Sequence, residues 1–164
     1  METIERYNGS VQLNTDASQT AEGRVGIGCH IHSDEHDIDY EHCARITDGV
    51  MVYSGEMTAL RLALERAHQL SMSKGLGRFA IFTDSSSSVK TLKSSESKSR
   101  PNLHTELIEL IHTLSSDVTI IWVPSHIGIS GNERADQLAG KATMLPNIEM
   151  HVFTEKNTSC YSHR

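Results

Sequence analysis

The stretch SGEMTALRLALERAHQLSMSKGLGRFAIFTD, residues 54–84, changes its hydrophobic period partway along. Over 54–72 the apolar positions recur at helical spacing. Met57, Leu60, Leu64 and Ala67 share one stripe, and Ala and Leu favour the helix. Gly75 and Gly77 act as stop signals. RFAIFTD, residues 78–84, is then a short, nearly continuous apolar run, the pattern of a buried strand. A strand reached through a helix returns by a right-handed crossover, so it is expected to lie parallel to an earlier strand.

Upstream, SVQLNTDAS alternates and breaks at Asp16, which predicts a strand ending in a turn. GRVGIGCHIH, residues 23–32, reads as a second strand with small residues on one side. Its glycines either admit a closely approaching backbone or mark an irregular strand. SDEHDID is turn-like, and YEHCARIT, residues 40–47, is a third strand, giving an antiparallel meander. Downstream, residues 85–102 are serine-rich. Their first half forms a short helix with Val89 and Leu92 as its apolar side, and their second half reads as a loop. LHTELIELIHTLSS (103–116) is a helix, DVTIIWVP a strand and SGNERADQLAGKATM the last helix, with Pro146 at or after its end. The order is βββ-α-β-α-α-β-α, an α/β or α+β domain. Residues 1–146 form the domain, and 147–164 a C-terminal tail or peripheral element.

The chain has 164 residues, enough for one domain with a sizeable core. No apolar run approaches membrane-spanning length, and METIERYNGS has no secretion-signal core. Three cysteines without ligand spacing fit a reducing compartment, hence an intracellular protein of cytoplasm or nucleus. The net charge of −6 argues against nucleic acid as a partner, but its distribution does not. Residues 74–100 carry Lys74, Arg78, Lys90, Lys93, Lys98 and Arg100 against only Asp84 and Glu96. This region is either a solvated face or a ridge facing a polyanion.

Four acids stand where elements begin or end: Asp16 and Asp84 after threonines at strand ends, Glu56 in the first turn of the long helix, and Asp136 near the start of the last. Each alone is explained as a cap, a turn residue or a helix-dipole acid. If strands one and four are neighbours, the acids converge instead. Converging carboxylates repel, and divalent cations are the partners that make such a cluster tolerable. All-oxygen donors select Mg²⁺ or Mn²⁺ over zinc.

NTDAS, SGEMTALRLALERA, FTDSSSSVKTL and above all WVPSHIGISGNERADQLAGKA (122–142) resemble the successive signatures of type 1 ribonuclease H. The last is most similar to the ribonuclease H domains of non-LTR retrotransposon reverse transcriptases. The resemblance runs from about Ser10 to Ala142. It implies a five-stranded mixed sheet flanked by helices and hydrolysis of the RNA strand of an RNA–DNA hybrid, leaving 5′-phosphate and 3′-hydroxyl ends. It also implies two Mg²⁺ ions, replaceable by Mn²⁺, held by Asp16, Glu56, Asp84 and Asp136. Asp16 would be the shared ligand, and His126 a proton carrier on a flexible loop. Asn132 would cap the last helix or contact the RNA backbone. Ala17, Ser18, Ser54 and Ser86 would read the RNA strand, and Lys90 and Lys93 would meet phosphates of the DNA strand. Neighbouring reverse transcriptase domains would add affinity, and the isolated domain would be a monomer.

The sequence departs from the family pattern at several points. Ala17 replaces the usual glycine, Ser54 and Gly55 stand where an asparagine pair is expected, and Ser86 occupies a frequent glutamine position. These departures and the acidic charge motivate an alternative, a weakly catalytic or inactive binding or scaffold domain of a retroelement polyprotein. A DNA transposase or integrase of the same fold is a third reading.

Overall fold

A computed structural model describes residues 5–94, 101–114 and 117–152. Five strands, β1 (Val11–Gln19), β2 (Val25–Ser33), β3 (Ile38–Ile46), β4 (Arg78–Thr83) and β5 (Asp117–Trp122), form one mixed sheet in the order β3-β2-β1-β4-β5. The first three are antiparallel; β4 runs parallel to β1, and β5 parallel to β4. The helices are α1 (Val52–Lys74), α2 (Ser86–Lys93), α3 (Pro101–Thr113) and α4 (Ser130–Thr143). The element order is the expected one, and the crossover through α1 places β4 beside β1.

Strand alternation sorts side chains onto two faces. Val11, Leu13, Cys29, Ile31, Phe79 and Ile81 pack against the Met57, Leu60, Leu64 and Ala67 stripe of α1 and against Leu103 and Leu107 of α3. The other face receives α4. There β2 presents Gly26 and Gly28, and the helix backbone lies directly on them. An added Cβ at Gly28 would stand 2.6 Å from the Ala139 nitrogen and 2.8 Å from the Leu138 Cβ. The glycines of GRVGIGC are therefore the floor on which the last helix sits, which decides between the two readings of that strand.

The structure corrects the sequence reading at several points, among them the start of β3, which is Ile38 rather than Tyr40. β1 does not end at Asp16. Its parallel ladder with β4 stops at Thr15–Thr83, but the antiparallel ladder with β2 continues through Asp16–Gly28 to Gln19–Val25. α1 begins at Val52, so Glu56 is its fifth residue rather than a first-turn acid. α4 begins at Ser130, where the sequence pattern starts it, and the Glu133 amide donates to the Ile129 carbonyl at 2.9 Å. Asn132 consequently lies inside the helix and does not cap it, and Asp136 is the seventh helical residue. The expected loop over the second half of 85–102 lies mostly outside the described residues.

The segment after α4 folds back on β3. Glu149 and Met150 donate backbone hydrogen bonds to the Arg45 carbonyl, Met150 bridges Ile46, and Val152 is buried. The buried Arg45 guanidinium donates to the carbonyls of Leu145 and Pro146 and pairs with Asp48 at 2.8 Å. Among the described residues no helix is long and apolar enough to cross a membrane.

Candidate active site

The β1–β4 register builds the centre of the site. Thr15 and Thr83 are ladder partners, and an aspartate follows each. Glu56 arrives from the second turn of α1. One carboxylate oxygen each from Asp16, Glu56 and Asp84 lies within 4.8 Å of the other two. Among the described residues this is the one group of three or more His, Cys, Asp and Glu side chains whose ligand atoms converge. Asp136, on α4, lines the same cleft and interacts with Asp16. The cleft has a volume of about 370 Å³ and is walled by Ala17, Val52, Tyr53, Ser85, Ser86, Ser87 and Ser125 besides the four acids.

Burial and mutual repulsion act on these acids together. The Asp16 carboxyl is pushed up to about 7, first by burial and then by the charges of Asp84 and Asp136, although the Ala17 amide donates to it at 2.8 Å. Glu56 is pushed up to about 9, first by burial and then by Asp16 and Asp84. Its Oε2 is buried without a hydrogen-bond partner among the described residues. Among those residues no basic side chain lines the cleft. Crowded oxygen donors, one of them orphaned, fit a hard divalent cation.

Asp84 is held from two directions. The Ser125 hydroxyl donates to its Oδ2 at 2.6 Å, and the Trp122 indole N–H donates to its main-chain carbonyl at 3.0 Å. Both donors come from the end of β5 and the loop after it. That loop turns through two residues of positive φ, His126 at +57° and Gly128 at +84°.

The remaining expected site residues fall into distinct places. His126 is exposed on the β5–α4 loop and is not part of the cleft wall. Asn132 is buried, with its Oδ1 unpartnered among the described residues. Ala17 and Ser86 line the cleft, and Ser18 is half-buried on β1. Ser54 is buried and is not part of the cleft wall, which is formed at that level by Val52 and Tyr53. Sequence reasoning missed these two. They precede Glu56 by four and three residues, the helical spacing of a shared face, which was the available signal. The Tyr53 hydroxyl donates to Thr91 Oγ1 at 2.9 Å and ties α1 to α2. Lys90 and Lys93 are exposed on α2, the helix that begins at the cleft rim with Ser86. The strand histidines are half-buried, His30 pairing with Asp39 and His32 with Asp34, and none joins a group of converging ligand atoms among the described residues.

Residues 8–144 match the RNase H family model. The chain belongs to the RNase H family. Among solved structures it is similar to RNase H1 from the halophilic archaeon Halobacterium salinarum NRC-1, at 26% identity and a TM-score of 0.64, covering 82% of this chain and 97% of that one. Two further RNase H structures share the fold. The N-terminal RNase H domain of a Mycobacterium tuberculosis protein is 22% identical with a TM-score of 0.66, covering 82% and 93% of the two chains. LC11-RNase H1, in complex with an RNA/DNA hybrid, is 20% identical with a TM-score of 0.59, covering 81% and 99%. No curated protein matches the chain. The mixed sheet of an RNase H, with its acids at the β1–β4 junction, is the fold that the sequence resemblance implied.

Proposed function

We propose that this RNase H is a divalent-cation-dependent endonuclease that hydrolyses the RNA strand of RNA–DNA hybrids, leaving 5′-phosphate and 3′-hydroxyl ends. The observation that carries the reading is the convergence of Asp16, Glu56 and Asp84 within 4.8 Å in an open cleft. It is supported by the family membership of the chain and by the hybrid bound to LC11-RNase H1.

Asp16, Glu56, Asp84 and Asp136 are the residues that would hold two Mg²⁺ ions, with Mn²⁺ as a substitute and Asp16 as the shared ligand. When bound, such a pair supplies an activated water and neutralises charge on the leaving 3′ oxygen. The protein's own contribution is orientation. Asp16 is fixed by the Ala17 amide, and Asp84 by Ser125 and Trp122. His126, on its exposed loop, carries a proton to or from the reacting phosphate region. The cleft wall of Ala17, Ser86, Val52 and Tyr53 faces the RNA strand, where the 2′-hydroxyl distinguishes it from DNA. Ser18 on β1 and Asn132 on α4 take the backbone of the same RNA strand. Lys90 and Lys93 on α2 take phosphates of the DNA strand.

The scaffold alternative is disfavoured by the cluster itself, because a domain without cations gains nothing from burying mutually repelling acids. The 122–142 segment supports a place beside reverse transcriptase domains of a retroelement polyprotein, acting where hybrids form, in cytoplasm or nucleus. The functional domain ends near residue 146, and residues 147–152 are its peripheral strap.

The test is a hybrid labelled separately on each strand. With Mg²⁺ or Mn²⁺ the RNA strand should be cut and the DNA strand left intact. Folded protein that cuts neither strand with either ion removes the proposal.

A further inference from the structure

The end of β5 and the loop after it do more than carry His126, because together they grip Asp84 twice. The Ser125 bond to Oδ2 is a short, charge-assisted O–H···O contact at 2.6 Å. The Trp122 bond fixes the main chain of the same aspartate at 3.0 Å. Asp84 stands 38 and 41 residues from these two donors in the chain, and the contacts extend past the Thr83–Trp122 end of the parallel β4–β5 ladder. With Oδ2 taken by Ser125, the rotation of the carboxylate is restricted. Ser125 is itself exposed and has no core role, so its hydroxyl is free to choose its partner. Trp122 is the chain's single tryptophan and is 49% exposed.

We propose that Ser125 is a positioning residue that orients the Asp84 carboxylate for a divalent cation, and that Trp122 registers occupancy of that site through the Asp84 backbone. This rests on the reading of the acidic cluster as a cation site. Partners that orient a ligating carboxylate typically change metal affinity by about 10–100-fold when removed. The restriction also works in reverse. A cation drawing on Asp84 shifts the aspartate, and the loop and indole that hold it shift too. Ser125 therefore links the position of the loop that carries His126 to the state of the carboxylates.

The test is a titration of the hybrid-free protein with MgCl₂, read by Trp122 emission and in parallel by calorimetry. The wild-type protein should show a saturable change in emission that coincides with the calorimetric isotherm. Ser125→Ala should need roughly 10–100-fold more Mg²⁺ for the same change, with unaltered circular dichroism. Ser125→Thr, which keeps a donor hydroxyl, should restore most of the affinity. If Ser125→Ala binds Mg²⁺ like wild type while Asp84→Asn does not bind, the positioning role is wrong and the cation site stands. An isotherm with no accompanying emission change removes the reporter role of Trp122. A wild-type protein that binds no divalent cation overturns the proposal and the functional reading together.

Discussion

Thr15 and Thr83 are partners in the parallel β1–β4 ladder, and the aspartates that follow them leave the ladder side by side. Neither threonine is exposed, and neither touches the cleft. Their register nevertheless decides whether Asp16 and Asp84 meet. A shift of one residue would turn one aspartate to the opposite sheet face, because side chains alternate along a strand. Glu56 and Asp136 then approach from helices on opposite faces of that junction.

Holding acids this close costs stability in the absence of cations. Asp16→Asn removes one charge from the cluster while keeping the shape of the side chain. It should cut hybrid cleavage by roughly 10³-fold or more, about 4 kcal/mol of transition-state stabilisation. The same substitution should stabilise the cation-free protein by about 1 kcal/mol, as expected where function maintains a strained site. Denaturant unfolding in EDTA beside a cleavage assay checks both. A variant that loses stability and keeps activity would show that Asp16 serves the fold instead.

The raised carboxyls give a pH dependence of definite sign. Asp16 and Glu56 titrate at about 7 and about 9 in the folded chain, above the unfolded range near 4. Above pH 4 the folded state therefore holds protons that the unfolded state has released. Stability in EDTA should be greatest at the acid side of this window and fall as pH rises through about 7 and then about 9. Mg²⁺ should reverse the fall, since it competes with those protons and binds better as they leave. Melting curves at pH 5, 7 and 9, with EDTA and with Mg²⁺, measure this; a melting temperature independent of pH in EDTA would contradict it.

The seat of α4 on β2 gives a paired prediction. Gly28→Ala forces a Cβ against the helix backbone and should destabilise by about 1–3 kcal/mol while moving Asp136 and lowering kcat. Gly140, on the same helix, has nothing within 4 Å of an added Cβ. Gly140→Ala should be neutral or stabilise by up to about 1 kcal/mol through helix propensity. Thermal unfolding and steady-state cleavage of the two variants separate a packing requirement from a general intolerance of substitution.

Lys90 and Lys93 test the side on which the hybrid lies. Replacing both with alanine should weaken hybrid binding and lower the slope of log K against log salt by about 2, one unit for each phosphate that a lysine no longer neutralises. Cleavage at saturating hybrid should be little changed. A slope equal to that of wild type would place the DNA strand elsewhere.

Much of the fold and site is legible in the residues alone, for local reasons. The change of period after Ala67 marks α1 and β4, and the two Thr-Asp pairs mark the paired strand ends. What is not legible depends on contacts between separate ladders and loops. Asp16 looks terminal because the alternation breaks there, yet one ladder ends while the other continues. Asn132 looks like a cap by residue type, but the helix starts earlier on a backbone bond to Ile129. The Ser125–Asp84 bond spans 41 residues and leaves no periodic trace. Ser54 suggests itself by its position in a motif, whereas helical geometry brings Val52 and Tyr53 to the cleft.

The most direct measurement is anomalous scattering from crystals of the protein grown with Mn²⁺. Peaks should appear between Asp16, Glu56 and Asp84, and a further one toward Asp136 once a hybrid is bound to an inactive Asp84→Asn or Glu56→Gln variant. Fully occupied Mn²⁺ elsewhere on the surface, with the space between Asp16 and Asp84 lacking any anomalous signal at neutral or alkaline pH, would contradict the account.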